Sequence, residues 1–173
     1  MDINVLPNYD TTDNPTGCCP RFDPEHWDGQ ELHFRDKLFV RAKTRSIAHV
    51  PLNMGSVFRK TFQAIEGADA QSDSNFIVMS RDKSAWSAEH LFAVDKEVPE
   101  KEMVRMTGDF VTKVFEGPYK EVPRWCKELN ESIQAQGKEV KQTYFFYTTC
   151  PKCAKTYGKN YVVGVAQVQS LGK

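Results

Sequence analysis

The chain lacks most of the features that announce a function early. It has no apolar run near the roughly 18–20 residues that span a bilayer, so it is read as having no membrane partner. Lys and Arg together number 23, as do Asp and Glu, so the formal charge is zero. That balance leaves no electrostatic footprint for nucleic acid. The opening residues, Met1 to Pro15, are polar and lack the apolar core of a signal peptide. The expected location is therefore the cytoplasm, where thiols stay reduced. Phosphate-binding Gly loops, H-E-x-x-H and nucleophile elbows are absent too.

What remains is an ordinary globular composition over 173 residues, 40 % hydrophobic and 27 % charged. That length suits one domain with a real core. Met1 to Thr16 carries few apolar groups and reads as a mobile lead-in. Gly17 to Gly29 mixes turn formers with Phe22 and Trp27, so it is expected to pack irregularly on the main body. Glu31 to Pro51 reads as strand, with a hairpin near Arg35–Lys37. Asn53 to Gly67 reads as an amphipathic helix through Met54, Val57, Phe58, Thr61, Phe62 and Ile65. Asn53 suits its N-cap and Gly67 its end. Strands follow near Asn75–Ser80 and Trp86–Val94.

The order then repeats. Met103 to Phe115 reads as a strand interrupted at Gly108, and Tyr119 to Gln136 as a helix with Val122, Trp125, Cys126, Leu129 and Ile133 on one face. Val140–Thr148 and Asn160–Val168 are strands rich in Tyr, Phe and Val. Two strand–helix–strand–strand modules, about 31–98 and 103–168, make an α+β domain over 17–173. Their antiparallel sheet carries both helices on one face, and the other face is free to form a ligand cleft between modules.

The segment Phe115-Glu-Gly-Pro-Tyr119-Lys-Glu-Val-Pro123, its helix, Gly137 and the strand Thr143-Tyr-Phe-Phe-Tyr147 resemble the second half of GyrI-like domains. These are the effector-binding domains of multidrug-responsive and AraC-type regulators. The resemblance covers roughly Glu31 to Val168 and implies the twin-module fold with a small-molecule cleft. It also implies apolar, often cationic, ligands; some stand-alone members resemble hydrolases that open strained, electrophilic rings. The chain departs from the family in having no DNA-binding helices ahead of the module and in its Cys150-Pro-Lys-Cys153 insert.

That insert has the ligand spacing of a zinc knuckle, with Cys18-Cys19 as a second pair and His26 as a substitute ligand. The expected structure is a zinc clasp pinning the N-terminal segment to the last hairpin. A redox pair and free thiols are the rivals; the first prefers a helix N-terminus, whereas the motif reads as a hairpin loop. Cys126, on its helix stripe, reads as packing. Glu89 corresponds to the acidic residue that the resemblance places in the cleft. There it attracts a cation or acts as general acid or base. Trp86, Tyr144 and Tyr147 offer flat walls with polar tips. Tyr144 and Tyr147 differ by an odd step, so a regular strand points them to opposite faces. His33, His49 and His90 fall on strands without a triad partner in sequence. The first reading of function is a small-molecule binder; the alternatives are a hydrolase using Glu89 and a zinc-stabilised interaction module.

Overall fold

The structure, a computed structural model, describes residues 2–72 and 75–170. Its spine is β1 (Glu31–Ile47), a strand of 17 residues, about three times the usual length. The hairpin expected at Arg35–Lys37 is a bulge instead. Pairing shifts by one residue between Phe34 and Lys37, and Asp36 takes a left-handed φ of 51°, a conformation that Asp tolerates better than most side chains. Thr107 Oγ1 accepts the Asp36 N–H at 2.9 Å, so the bulged backbone is not left unpaired. The bend lets one strand serve two partners. Residues 31–41 pair with β5 (Glu102–Glu116), and residues 39–45 pair with β4 (Ser87–Ala93).

The remaining strands complete a ring. β3 (Val78–Ser84) lies beside β4, then come β6 (Lys138–Tyr147) and β7 (Tyr161–Ser170), and β7 returns to β5. All these pairings are antiparallel. The two modules join along β1 and β5 and meet again between β3 and β6 at the single pair Ser80–Phe145. A short β2 (Val50–Pro51) folds back on the end of β1.

Both helices cover the outer face, as the apolar stripes predict. α1 (Met54–Gly67) packs Phe58 and Ile65 over Val40, Val78 and Phe92. Its N-cap residue Asn53 turns its side chain to the Arg45 N–H at 2.8 Å rather than to its own helix. α2 (Val122–Ala135) seats Trp125, Leu129 and Ile133 on Phe145, Val162 and Ala166. Gly164 makes that seat possible, because a Cβ there would lie 2.8 Å from Leu129 Cδ2. Gly137 ends the α2 region at φ 76°, a left-handed position that suits glycine.

The inner face, expected to leave a cleft, is filled. Phe34, Phe39, Phe110, Tyr144 and Phe146 meet there. The N-terminal segment closes over them. Ile3 bridges His33, Leu6 is buried, and Tyr9 lies 5.9 Å from the Phe146 ring. Trp27 is 1 % exposed, and its indole N–H donates to the Asn8 carbonyl at 3.1 Å. The expected mobile lead-in, Met1 to Thr16, is thus partly core within its described residues. A few apolar side chains suffice, because they enter an interior that already excludes water.

Candidate functional site

Alternation along β4 sends Leu91 and Ala93 inward and His90 and Phe92 toward α1, so Glu89 also points inward. It stands where the aromatic filling stops. Its side chain is 2 % exposed. Arg81 Nε–H donates to Glu89 Oε1 at 2.6 Å. Arg41 Nε lies 3.2 Å from Oε2, an ion pair by distance. The angles do not make a hydrogen bond, and both atoms are buried without a hydrogen-bond partner among the described residues. Arg41 also reaches Glu102 Oε1 at 3.1 Å, and Lys83 Nζ lies 4.0 Å from Oε2.

At this end of the barrel β1 runs on past Arg41 with no β5 partner, and Arg41, Arg81 and Lys83 around Glu89 are partly exposed to solvent. Strand register lays Lys43, Glu89 and Arg81 side by side across β1, β4 and β3, and Tyr144 follows on β6 beside Arg81. The Tyr144 ring lies 6.0 Å from the Arg81 guanidinium carbon. Burial pushes its hydroxyl pKa above the ordinary value, so it stays a donor at neutral pH.

The structure therefore brings Glu89 and Tyr144 together. Trp86 stands 62 % exposed at the tip between β3 and β4. Tyr147 faces α2 and packs 5.8 Å from the Tyr119 ring; burial pushes its hydroxyl up to about 12. The arginines and lysines around Glu89 were not singled out from sequence. Their signal is Arg41-Ala-Lys43-Thr-Arg45, charges at every second strand position.

His90 occupies the opposite side of the same strand. It is 1 % exposed, with Ser80 Oγ 2.7 Å from Nδ1 and Thr44 Oγ1 2.9 Å from Nε2. The Phe58 ring covers it at 4.8 Å. Burial lowers its pKa to about 4, so at neutral pH it is an uncharged imidazole with both nitrogens engaged.

Cys18, Cys19, Cys150 and Cys153 form a second constellation, with all four Sγ atoms within 4.8 Å of one another. Cys18 and Cys19 hold their sulfurs 3.7 Å apart. A tight turn explains how adjacent cysteines do this. Gly17 takes φ 69°, and Thr16 Oγ1 accepts the N–H groups of Cys18 and Cys19 at 3.2 and 3.4 Å. The Cys150 and Cys153 N–H groups donate to Cys19 Sγ and Cys150 Sγ at 3.4 and 3.5 Å. The Thr16 hydroxyl lowers the Cys153 thiol to about 7, while burial pushes Cys19 well above its usual value. Four such sulfurs can hold a metal ion.

Cys150-Pro-Lys-Cys153 does not lie in a plain hairpin loop. Cys150 is the N-cap of α3 (Pro151–Tyr157), which removes the loop argument against a redox pair. His26 bonds Asp23 at 2.9 Å and lies outside the cluster. Cys126 packs against the α2 core. Two depressions, of about 270 and 130 Å³, flank β5 near Thr112 and Asp109 and include no residue of either constellation.

Known folds carry the same architecture. An uncharacterised conserved protein from Listeria innocua aligns with TM-score 0.60 at 12 % identity, over 82 % of this chain and 92 % of that one. The EcmrR C-terminal domain aligns with TM-score 0.57 at 11 % identity, over 84 % and 99 %. A hydrolase from Listeria innocua aligns with TM-score 0.54 at 11 % identity, over 86 % and 94 %. At these identities the likeness is one of fold. No curated protein matches the sequence. Among the described residues no helix is long and apolar enough to cross a membrane. A family model described as bacterial hydrolase, rather than a GyrI-like one, matches residues 9–168. That span takes in both modules and the N-terminal strap from Tyr9 onward, and on this match the chain belongs to the bacterial hydrolase family.

Proposed function

We propose that the chain hydrolyses a reactive small molecule at the open end of the barrel, with Glu89 as the general base. The observation that carries this reading is the buried Glu89 Oε2, which among the described residues meets Arg41 Nε only as an ion pair at 3.2 Å and accepts no hydrogen bond, although its carboxylate is otherwise held in place. Arg81 fixes Oε1 and so sets the plane of the group. A water at Oε2 then gives its proton to that oxygen as its own oxygen attacks an electrophilic carbon. On this reading the Tyr144 hydroxyl donates to the atom that leaves; its ring, 6.0 Å from the Arg81 guanidinium carbon, supports the role. General base catalysis of this kind contributes about 10²–10⁴-fold. The family match supports the reaction class, and the GyrI-like resemblance supports the ligand face.

The test is turnover of phenyl acetate and styrene oxide by the full chain. Glu89→Gln keeps the shape and removes the base, so kcat is expected to fall roughly 100-fold or more with near-UV dichroism unchanged. Equal kcat in the variant would sink the role of Glu89. The fold likeness to the EcmrR C-terminal domain favours a second reading, a binder without turnover. On that reading Glu89→Gln alters affinity and no wild-type turnover is seen.

We further infer that the four cysteines hold one structural zinc ion. Zn–S bonds of about 2.3 Å in a tetrahedron place sulfurs roughly 3.8 Å apart, close to the 3.7 Å between Cys18 and Cys19. Four protein ligands leave no open position, so the ion would clasp the N-terminal segment to α3. Mass spectrometry should find one zinc per chain, and chelation should lower Tm. Absence of metal with freely titrating thiols would remove the clasp.

A further inference from the structure

We propose that the open end of the barrel selects an anionic substrate, an organic oxyanion with a flat apolar body. This deepens the hydrolase reading and rests on its placement of the site. The opposite class, an apolar cation, is what the GyrI-like resemblance implies.

Charge is segregated on this face although the chain as a whole is neutral. Arg41, Lys43 and Arg45 alternate along β1 onto the inner side, and Arg81 and Lys83 come from β3. Among the described residues only Glu89 and Glu102 pair with any of these five cations. Strands lie about 4.8 Å apart, and alternate residues along one lie roughly 6.6 Å apart. Adjacent cations along a strand therefore act within about one Debye length, roughly 8 Å at physiological salt, while the ends of the row, Arg41 and Arg45, lie about 13 Å apart.

Glu89 is not free to attract a cation. Its two oxygens already face Arg81 and Arg41, both of which remain partly exposed, at 27 % and 30 %. Lys83 is 44 % exposed, and Lys43 and Arg45 are exposed without an ion-pair partner among the described residues. A carboxylate, sulfate or phosphate arriving from solvent thus meets guanidinium and ammonium donors first. Apolar surface borders the same mouth. Ile47 follows Arg45 on the inner side of β1 at 55 % exposed, and the Tyr144 ring lies 6.0 Å from the Arg81 guanidinium carbon. A charged head held by the cations leaves a flat body lying on these side chains.

The experiment is calorimetry on the full chain with three probes that are not hydrolysed: 2-naphthalenesulfonate, 2-naphthyltrimethylammonium and inorganic sulfate. The sulfonate is expected to bind at least tenfold tighter than either of the others. In a Lys43→Glu/Lys83→Glu chain that preference should shrink at least tenfold. Arg45→Glu is the second variant should the double one fail to fold. Equal or tighter binding of the ammonium probe, or no binding of the sulfonate, overturns the anionic class. Equal binding of inorganic sulfate overturns the apolar body. These probes report binding alone, so a missing turnover with the preference intact sinks only the hydrolase reading. Turnover with a preference for the ammonium sinks only this one.

Discussion

Glu89 and His90 are neighbours on β4, both nearly inaccessible, and they solve burial in opposite ways. Glu89 sets its carboxyl against two guanidinium groups that are themselves still partly exposed to water. His90 gives its charge up, and two hydroxyls take its nitrogens under the cover of Phe58. The difference lies in what stands behind each face. α1 seals the outer one, whereas the inner one opens where β1 outruns β5. Equal burial of a residue therefore does not mean equal isolation of its charge.

The largest break in that comparison comes from pH. His90 has an ordinary pKa of 6.5 when unfolded and about 4 when folded. Between those values the unfolded chain takes a proton that the folded chain refuses. Its contribution is thus full above pH 6.5 and is lost as pH falls toward 4, by about 3 kcal/mol. Urea unfolding at pH 7 and pH 4.5 measures the drop, and His90→Gln should remove most of it. An unchanged slope in the variant would mean that the imidazole is not isolated.

Glu89→Ala should cost less, about 2 kcal/mol, below the 3–5 of a fully buried pair because its arginines can turn to solvent. A double-mutant cycle with Arg81→Ala should return a coupling of about 1 kcal/mol. A coupling near zero would mean that the carboxylate is not held by Arg81. The smallest effect contrasts packing on the two faces. Gly164→Ala presses a methyl on Leu129 and Phe115 and should cost about 1–2 kcal/mol, whereas exposed Lys43→Ala should stay within about 0.5. Thermal unfolding of both variants reads the difference.

Local chemistry made the helices legible. The stripes of α1 and α2 have the helical period, and Gly137 stops the second in the left-handed region. The repeated module was legible for the same reason. Pairing was not. Nothing in Glu31–Ile47 says that one strand will bend at Asp36 and serve both β4 and β5, since alternation fixes faces and not neighbours. Closure of the ring followed from that bend, and with it the filled interior and the burial of Leu6 and Tyr9. At the candidate site, Glu89 was singled out by resemblance, and the opposite faces of Tyr144 and Tyr147 followed from parity. The cations escaped notice because Arg81 joins Arg41 only across strands, in register rather than in sequence. Cys150 was misplaced in a loop because a helix of seven residues, Pro151–Tyr157, is too short to show a stripe.

The strap that closes the barrel also sets a timetable. Cys19 and Cys150 are 131 residues apart, and at about 5–20 residues per second a ribosome needs roughly 7–26 s to make that interval. Leu6, Tyr9, Phe22 and Trp27 leave the exit tunnel early, but Phe146 of β6, which Tyr9, Phe22 and Trp27 contact, and the Cys150 and Cys153 thiols come much later. For that time the nascent chain carries an aromatic segment that still lacks its β6 cover.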